Sequence, residues 1–172
     1  RLQIKFDDKD KALTDTPEEL RFVGIQNVSI NLPNIPLQTD NEDSFYAELK
    51  RRMDLAVKAH LIKRDYVDNL AKAKNSPLRF YEEGMDGNPY VDSSRGTYLI
   101  GIVGLNECVY NLIGKELHED ILAFEKGMEI ILFMNEYKGK LAEENGIKIA
   151  LEESPAESTA NRLAKVDRKH FG

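Results

Sequence analysis

A chain of 172 residues with 41% hydrophobic content has the size of one domain and enough apolar residues for a real core. Thirty acidic against 24 basic residues leave a net charge of −6, which counts against binding nucleic acid through a broad basic face but not against a small anionic ligand held locally. One cysteine excludes an internal disulfide and fits a reducing compartment such as the cytoplasm, three scattered histidines give no metal-ligand spacing, and no apolar run reaches the ~18 residues of a membrane span.

In chain order, Leu2, Ile4 and Phe6 alternate with Arg1, Gln3 and Lys5, the pattern of a half-buried strand already under way at the first residue. The charged stretch over 7–19 reads as an exposed loop. Val28, Ile30 and Leu32 then alternate with polar residues until Pro33 and Pro36 stop the strand. Asn27, Ser29 and Asn31 therefore share one face. Solvent exposure is the simple reading of that face; a ligand-facing interior is the sharper one.

A helix is expected over 41–62, with Thr39 and Glu42 at capping-box spacing. Phe45, Leu49, Met53, Ala56, Val57 and His60 form its apolar stripe, and His60 reads as a core or boundary histidine rather than a ligand. A shorter helix is expected over 65–73, then a long irregular connection over 75–96. Residues 97–103 are the clearest strand, apolar on both faces as in a buried parallel sheet.

Gly104 turns the chain, and Asn106 is a natural N-cap for a short helix that ends before Gly114. Leu117, Ile121, Phe124, Met128, Ile131 and Leu132 mark one face of a long helix running towards Asn145, which Gly146 ends. Ile147, Ile149 and Leu151 form the last strand. Ser154, Pro155 and Glu157 read as N-cap, first-turn proline and capping-box partner of a final helix. Strands alternating with long helices give a single α/β domain over 1–172 with mainly parallel strands. The strands near 28–32, 98–103 and 147–151 should lie parallel in one sheet with the helices outside.

Functional groups in α/β folds collect where the carboxyl end of a strand meets the next helix. Glu107 is expected there. The helix N-terminus favours its ionised form, and a carboxylate beside an apolar strand end can hydrogen-bond to a substrate hydroxyl or take its proton. The plainer alternative makes Asn106 only a cap and Glu107 only a complement to the helix dipole. Cys108 points about 100° away from Glu107 on a helix, and a free cysteine is most often a small buried apolar group.

The end of the last strand repeats the arrangement in "LEESPAESTANRLAK". Free N–H groups and the helix dipole at such a start attract phosphate, and Ser158 and Thr159 would add hydroxyl donors. The alternative is an ordinary capped helix in which Ser154 and Glu157 satisfy those donors and Glu157 repels an anion.

Four segments, "QNVSINLP", "IGIVGLNE", "GKELHED" and "LEESPAESTANRLAKVD", taken in that order, resemble the large subunit of the anaerobic, class III ribonucleoside-triphosphate reductases. The resemblance runs over essentially the whole chain. It implies a portion of a ten-stranded α/β barrel of the glycyl-radical type, central to C-terminal in the catalytic barrel, with a finger loop through its centre. It also implies a reaction: a glycyl radical generates a thiyl radical on a finger-loop cysteine, the thiyl takes the ribose 3′-hydrogen, the 2′-hydroxyl leaves as water and the ribose is reduced.

By the same resemblance the radical cysteine would fall immediately before Arg1, and the glycyl-radical and zinc-binding segments beyond Gly172. No cofactor is then expected within the chain. The family implies a glycyl radical installed by an S-adenosylmethionine iron-sulfur activase, and a structural zinc in the C-terminal segment. The implied partners are a ribonucleotide substrate, the remainder of the same enzyme, the radical-activating enzyme and a second copy in a homodimer. Neither nucleic acid nor a membrane is among them.

Residue by residue, the resemblance makes Glu107 the carboxylate facing the ribose hydroxyls, with Asn106 in the same loop. It makes Ser158, Thr159 and Ala160 the segment that holds substrate phosphates. It puts the strand around Ser29 and Asn31 on the barrel lining near the finger loop. Asn34 departs from the Arg that many relatives carry after the proline, which removes a basic contact there. Some members use formate as reductant and others a dithiol relay, and Cys108 beside Glu107 suggests a second redox thiol. Two rivals remain. Another glycyl-radical enzyme with a non-nucleotide substrate would have no use for the "PAESTA" phosphate segment. A non-catalytic nucleotide-binding module would be a closed domain with ends at natural boundaries.

Overall fold

The computed structural model describes residues 23–78, 81, 87, 91, 93, 96–154 and 156–172. The strand expected around 2–6, the loop after it, much of the connection over 75–96 and Pro155 lie outside the described residues.

Among the described residues three strands, β1 (Gly24–Asn31), β2 (Thr97–Val103) and β3 (Lys148–Glu153), form one sheet in the order β1-β2-β3 with both pairs parallel, as expected. Asn31 pairs with Val103 and Leu99 with Ala150. β2 is central and nearly all buried, which is why its sequence is an unbroken apolar run. Side chains alternate across the sheet. One face sends Ile30, Tyr98, Ile100 and Ile149 into the core. The other carries Asn27, Ser29 and Asn31 on β1 and Glu152 on β3.

α1 (Glu42–Lys72) packs against β1 and buries the whole expected stripe from Phe45 to His60. It differs from expectation in two ways. It is one helix of 31 residues, not two, because no Gly or Pro lies within it to break it. Its cap is Asn41, not Thr39: the Asn41 side chain accepts from the Ser44 amide at 2.9 Å, and the Asn41 amide donates to the Ser44 hydroxyl at 3.1 Å. Thr39 instead donates its hydroxyl to the Ile35 carbonyl at 3.0 Å. His60 is a fully buried core histidine. The Leu99 carbonyl lies 3.0 Å from its Nε2 and can only accept, so Nε2 carries the proton; Nδ1 has no partner among the described residues. Burial pushes its pKa below the ordinary value.

α2 (Leu105–Ile113) starts after Gly104, whose φ of 76° and closeness to the Pro33 ring both require glycine. Gly104, not Asn106, is thus the N-cap, and Asn106 is the second helical residue. Gly114 ends α2 in the left-handed region, as expected.

α3 (Ile121–Asn145) is capped by Asp120, whose carboxylate accepts from the Leu122 amide at 2.7 Å, and it ends at Gly146. The face expected for it is not the one it buries: Leu117 lies before the helix and packs against the core, and Ile131 is half-buried. Ile121, Phe124, Met128 and Leu132 are exposed, and the helix buries Ala123, Gly127, Ile130, Met134 and Leu141 instead. The reason is steric: a side chain on Gly127 would run into Leu117, so the bulk at this contact comes from the neighbour and the helix supplies small residues.

α4 (Glu157–Phe171) follows Ala156 with no side-chain cap. The expected capping box is absent because the Ser154 hydroxyl bonds the Ser29 hydroxyl, 2.8 Å away. Among the described residues no helix is long and apolar enough to cross a membrane.

Candidate functional site

A cavity of about 850 Å³ opens at the carboxyl ends of the three strands. Asn31 from β1, Val103 from β2 and Glu153 from β3 form its floor. Parallel strands make this convergence unavoidable, since each delivers its carboxyl end, and the helix that follows, to the same side. Gly104, Asn106 and Glu107 contribute from the turn into α2 and its start. Glu157, Ala160, Ala164 and Asp167 contribute from one face of α4.

Glu107 lies in the first turn of α2, exposed and on the cavity wall. One carboxylate oxygen lies 3.4 Å from where a Cβ on Gly104 would be, so the side chain folds back over the turn that the glycine keeps bare. Asn106 is on the same wall but is occupied. Its Oδ1 accepts from the Leu117 amide at 3.0 Å and its Nδ2 donates to Glu116 at 3.4 Å, which ties the start of α2 to the approach to α3.

The polar face of β1 is also engaged. Asn27 donates to the Glu152 carboxylate at 3.3 Å, and Ser29 pairs with Ser154. Gly101 lies between them on β2; a side chain there would collide with Ser29, Ser154 and Asn27. Asn31 donates through Nδ2 to one oxygen of Asp167 at 2.9 Å, and Asn34 to the other at 2.7 Å. The Arg52 guanidinium in turn donates to the Asn34 side-chain oxygen (2.7 Å), the Asn31 carbonyl (3.0 Å) and Glu48 (2.8 Å). The bond from Arg51, helped by Arg52 and opposed by desolvation, holds the Glu48 carboxyl down at about 2.

Of the residues singled out in the sequence, Glu107, Asn106, Asn31 and Ala160 share this one cavity, whereas Ser29, Ser158 and Thr159 are not among its walls. The Ala160 amide donates to the Ala156 carbonyl at 2.6 Å. The donors left open in the first turn are therefore the amides of Glu157, Ser158 and Thr159, by their position in the helix. Cys108 is fully buried in the core, away from the cavity, and burial pushes its thiol up to about 12. A thiol so placed is protonated at neutral pH, which favours packing over the redox role suggested for it. Sequence reasoning missed Arg52 and Asp167. Both sit on polar helix flanks, and no local pattern sets them apart from solvated charge. Among the described residues no group of three His, Cys, Asp or Glu side chains fits a metal ion.

A parallel α/β sheet with a carboxylate and a helix start facing one cavity at its strand ends has the layout of an α/β enzyme site. A family model described as anaerobic ribonucleoside-triphosphate reductase matches residues 1–172. Proteins named anaerobic ribonucleoside-triphosphate reductase are similar to the chain. The one from Haemophilus influenzae is 29% identical over 154 residues, which cover 84% of this chain and 22% of that protein. The one from Escherichia coli K12 is 26% identical over 156 residues, with coverage of 84% and 22%. The one from Enterobacteria phage T4 is 28% identical over 159 residues, with coverage of 84% and 24%. A solved structure titled anaerobic ribonucleotide reductase matches the fold with a TM-score of 0.74 at 23% identity, over 90% of this chain and 24% of that one. The chain belongs to the anaerobic ribonucleoside-triphosphate reductase family, and it spans 22–24% of the length of these curated relatives.

Proposed function

We propose that the chain supplies part of the active-site barrel of an enzyme that reduces ribonucleoside triphosphates to deoxyribonucleoside triphosphates by radical chemistry under anaerobic conditions. The observation that carries this reading is the single cavity walled by both Glu107 and the first turn of α4. Phosphate and ribose hydroxyls of one nucleotide are about one ribose apart, so the two groups must open on the same space to serve one substrate. The three parallel strands are then a portion of a ten-stranded barrel whose other strands lie elsewhere in the enzyme.

In this reading Glu107 receives a hydrogen bond from a ribose hydroxyl and can move its proton as the 2′-oxygen leaves as water. The first-turn amides of α4 and its dipole hold the phosphates. The uncapped start of α4 supports that role, because Ser154 is drawn to Ser29 and leaves the donors open. Of the open donors the Glu157 amide belongs to a residue on the cavity wall, and the Ser158 and Thr159 amides lie in the same turn. Cys108 has no role in the chemistry. The glycyl radical would initiate the reaction and be regenerated, with formate or a dithiol supplying the two electrons; its segment, the activating enzyme and the structural zinc belong with the rest of a cytoplasmic homodimer.

Changing Glu107→Gln in the complete enzyme should leave nucleotide binding intact and lower turnover by about 10²–10⁴-fold. Near-normal turnover would remove Glu107 from the mechanism.

A further inference from the structure

α4 has no buried residue. Yet its first turn must be aimed into the cavity if it is to hold phosphates, the reading on which this inference rests. Leu163 is its only half-buried apolar residue, too little to fix that aim, so polar contacts must. Among the described residues there are two, and both lead to the polar face of β1 or the turn that follows it. At the approach to the helix, Ser154 bonds Ser29 at 2.8 Å. Further along, Asp167 receives Asn31 on one oxygen (2.9 Å) and Asn34 on the other (2.7 Å). Ala160, Ala164 and Asp167 share the cavity face of α4. Asp167 lies about 15 Å along the axis from Glu157, the helix start beside the first anchor, at 1.5 Å per residue. A rod held at one point pivots; a second point at this distance fixes its direction.

The second anchor is itself oriented. The Asn34 side-chain oxygen accepts from Arg52 (2.7 Å) and Gln38 (2.5 Å). A guanidinium has no acceptor, so the Asn34 amide must turn its oxygen to Arg52 and its NH₂ to Asp167. Arg52 is fixed by Glu48 and by the Asn31 carbonyl, and α1, which carries Arg52 and Glu48, is seated in the core. We propose that Asp167 is a positioning residue for the nucleotide: latched by Asn31 and Asn34, its carboxylate aims the first turn of α4 into the cavity without touching the substrate. Both its oxygens are spent on amides, and a negative charge is a poor neighbour for phosphate.

The test uses the complete enzyme, with a ribonucleoside triphosphate and the matching nucleoside as probes. Asp167→Asn keeps the shape but turns an NH₂ towards an asparagine NH₂. Triphosphate affinity should fall about tenfold, while nucleoside affinity and kcat stay within about twofold. Combining Asp167→Asn with Asn34→Asp reverses the polarity of one bond. The introduced amide accepts from Asn31 and donates to the introduced carboxylate, which still receives Arg52, so triphosphate affinity should return. If Asp167→Asn fails to fold, the double variant carries the test alone: folded with normal triphosphate affinity supports the latch, folded with weak affinity overturns it. A merely structural role would lower kcat and both affinities together, and that outcome also overturns the latch. Thr159→Pro, which removes a first-turn donor, separates the two readings. Weakened triphosphate binding there beside unchanged binding in Asp167→Asn sinks the latch only. Unchanged binding in a folded Thr159→Pro sinks the phosphate site, and the latch with it.

Discussion

α1 and α3 are both long helices packed on the same sheet, and each carries large apolar residues at helical spacing. In α1 those residues are the core: Phe45, Leu49 and Met53 are essentially inaccessible. In α3 they face outward. Phe124 is 52% exposed and Leu132 55%, while Ala123, Gly127 and Ile130 turn inward. The difference lies in what each helix meets. α1 covers the open face of β1 and has to fill space. α3 lies close to α2 and to Leu117, whose side chain already fills the space where a residue at 127 would put its own. Ala123 and Gly127 let the helix approach its neighbour at this contact, Ile130, Met134 and Leu141 fill the rest of the inward face, and the stripe from Ile121 to Leu132 is left on the outside. A stripe of large residues predicts burial only where the partner leaves room for it.

The sharpest way to break this comparison is to hollow out α1. Leu49→Ala should cost about 2–5 kcal/mol, read from the urea midpoint, because the side chain is fully buried and the site cannot collapse around a rigid sheet. A loss below about 1 kcal/mol would mean that α1 does not lock the core. The reciprocal change overfills α3. Gly127→Leu should cost about 1–3 kcal/mol by overpacking, although leucine is the better helix former by nearly 1 kcal/mol. Gly127→Ala should be close to neutral, since the end of the Leu117 side chain can swing aside while the propensity gain offsets the strain. A stabilised Gly127→Leu would show that the small face is not tightly packed.

The same contrast explains what was legible in the sequence. The three parallel strands, the α1 stripe and the ends at Gly114 and Gly146 rest on local period and on turn glycines, and these are visible in a window of a few residues. Caps were less legible. Thr39 and Asn41, or Asn106 and Gly104, compete within two residues, and the outcome depends on bonds to distant partners such as the Leu117 amide. The position of Glu107 could be read from strand, turn and helix in succession. The network of Arg52, Asn34 and Asp167 could not, because it joins residues 18 and 133 positions apart with no repeating pattern.

Acid separates the helices next. The buried face of α1 includes His60, whereas that of α3 has no titratable residue. Burial lowers the folded pKa of His60 below its unfolded value of about 6.5. Its contribution is therefore complete above pH ~6.5 and is lost as the pH falls, because only the unfolded chain takes up the proton. Between pH 6.5 and 5.5 this one group should account for a loss of at most about 1.4 kcal/mol per pH unit. His60→Gln should flatten that part of the profile whatever it does to stability at neutral pH. The low pKa of Glu48 acts in a separate window, between about 4.5 and 2, so the two do not overlap. An equally steep fall below pH 6.5 in His60→Gln would assign the slope to another group.

The smallest effect is expected on the outer face of α3, and it bears most directly on the comparison. Phenylalanine and serine have nearly equal helix propensities, so Phe124→Ser changes little except apolar area. Half of that area is already in water. In the 172-residue chain the substitution should therefore move the unfolding free energy by no more than about 0.5 kcal/mol. Leu132→Gln, two turns further along the exposed run, should behave the same way. Exposed apolar runs promote association, so the measurement has to be made across a range of concentrations. If the midpoint is independent of concentration and both variants are near neutral, the outer stripe of α3 faces water in this chain and the inward face of Ala123, Gly127, Ile130, Met134 and Leu141 holds the helix. A loss above about 1 kcal/mol that grows with concentration would mean that a second copy covers this face, and that the two helices differ in their partner rather than in their rule of packing.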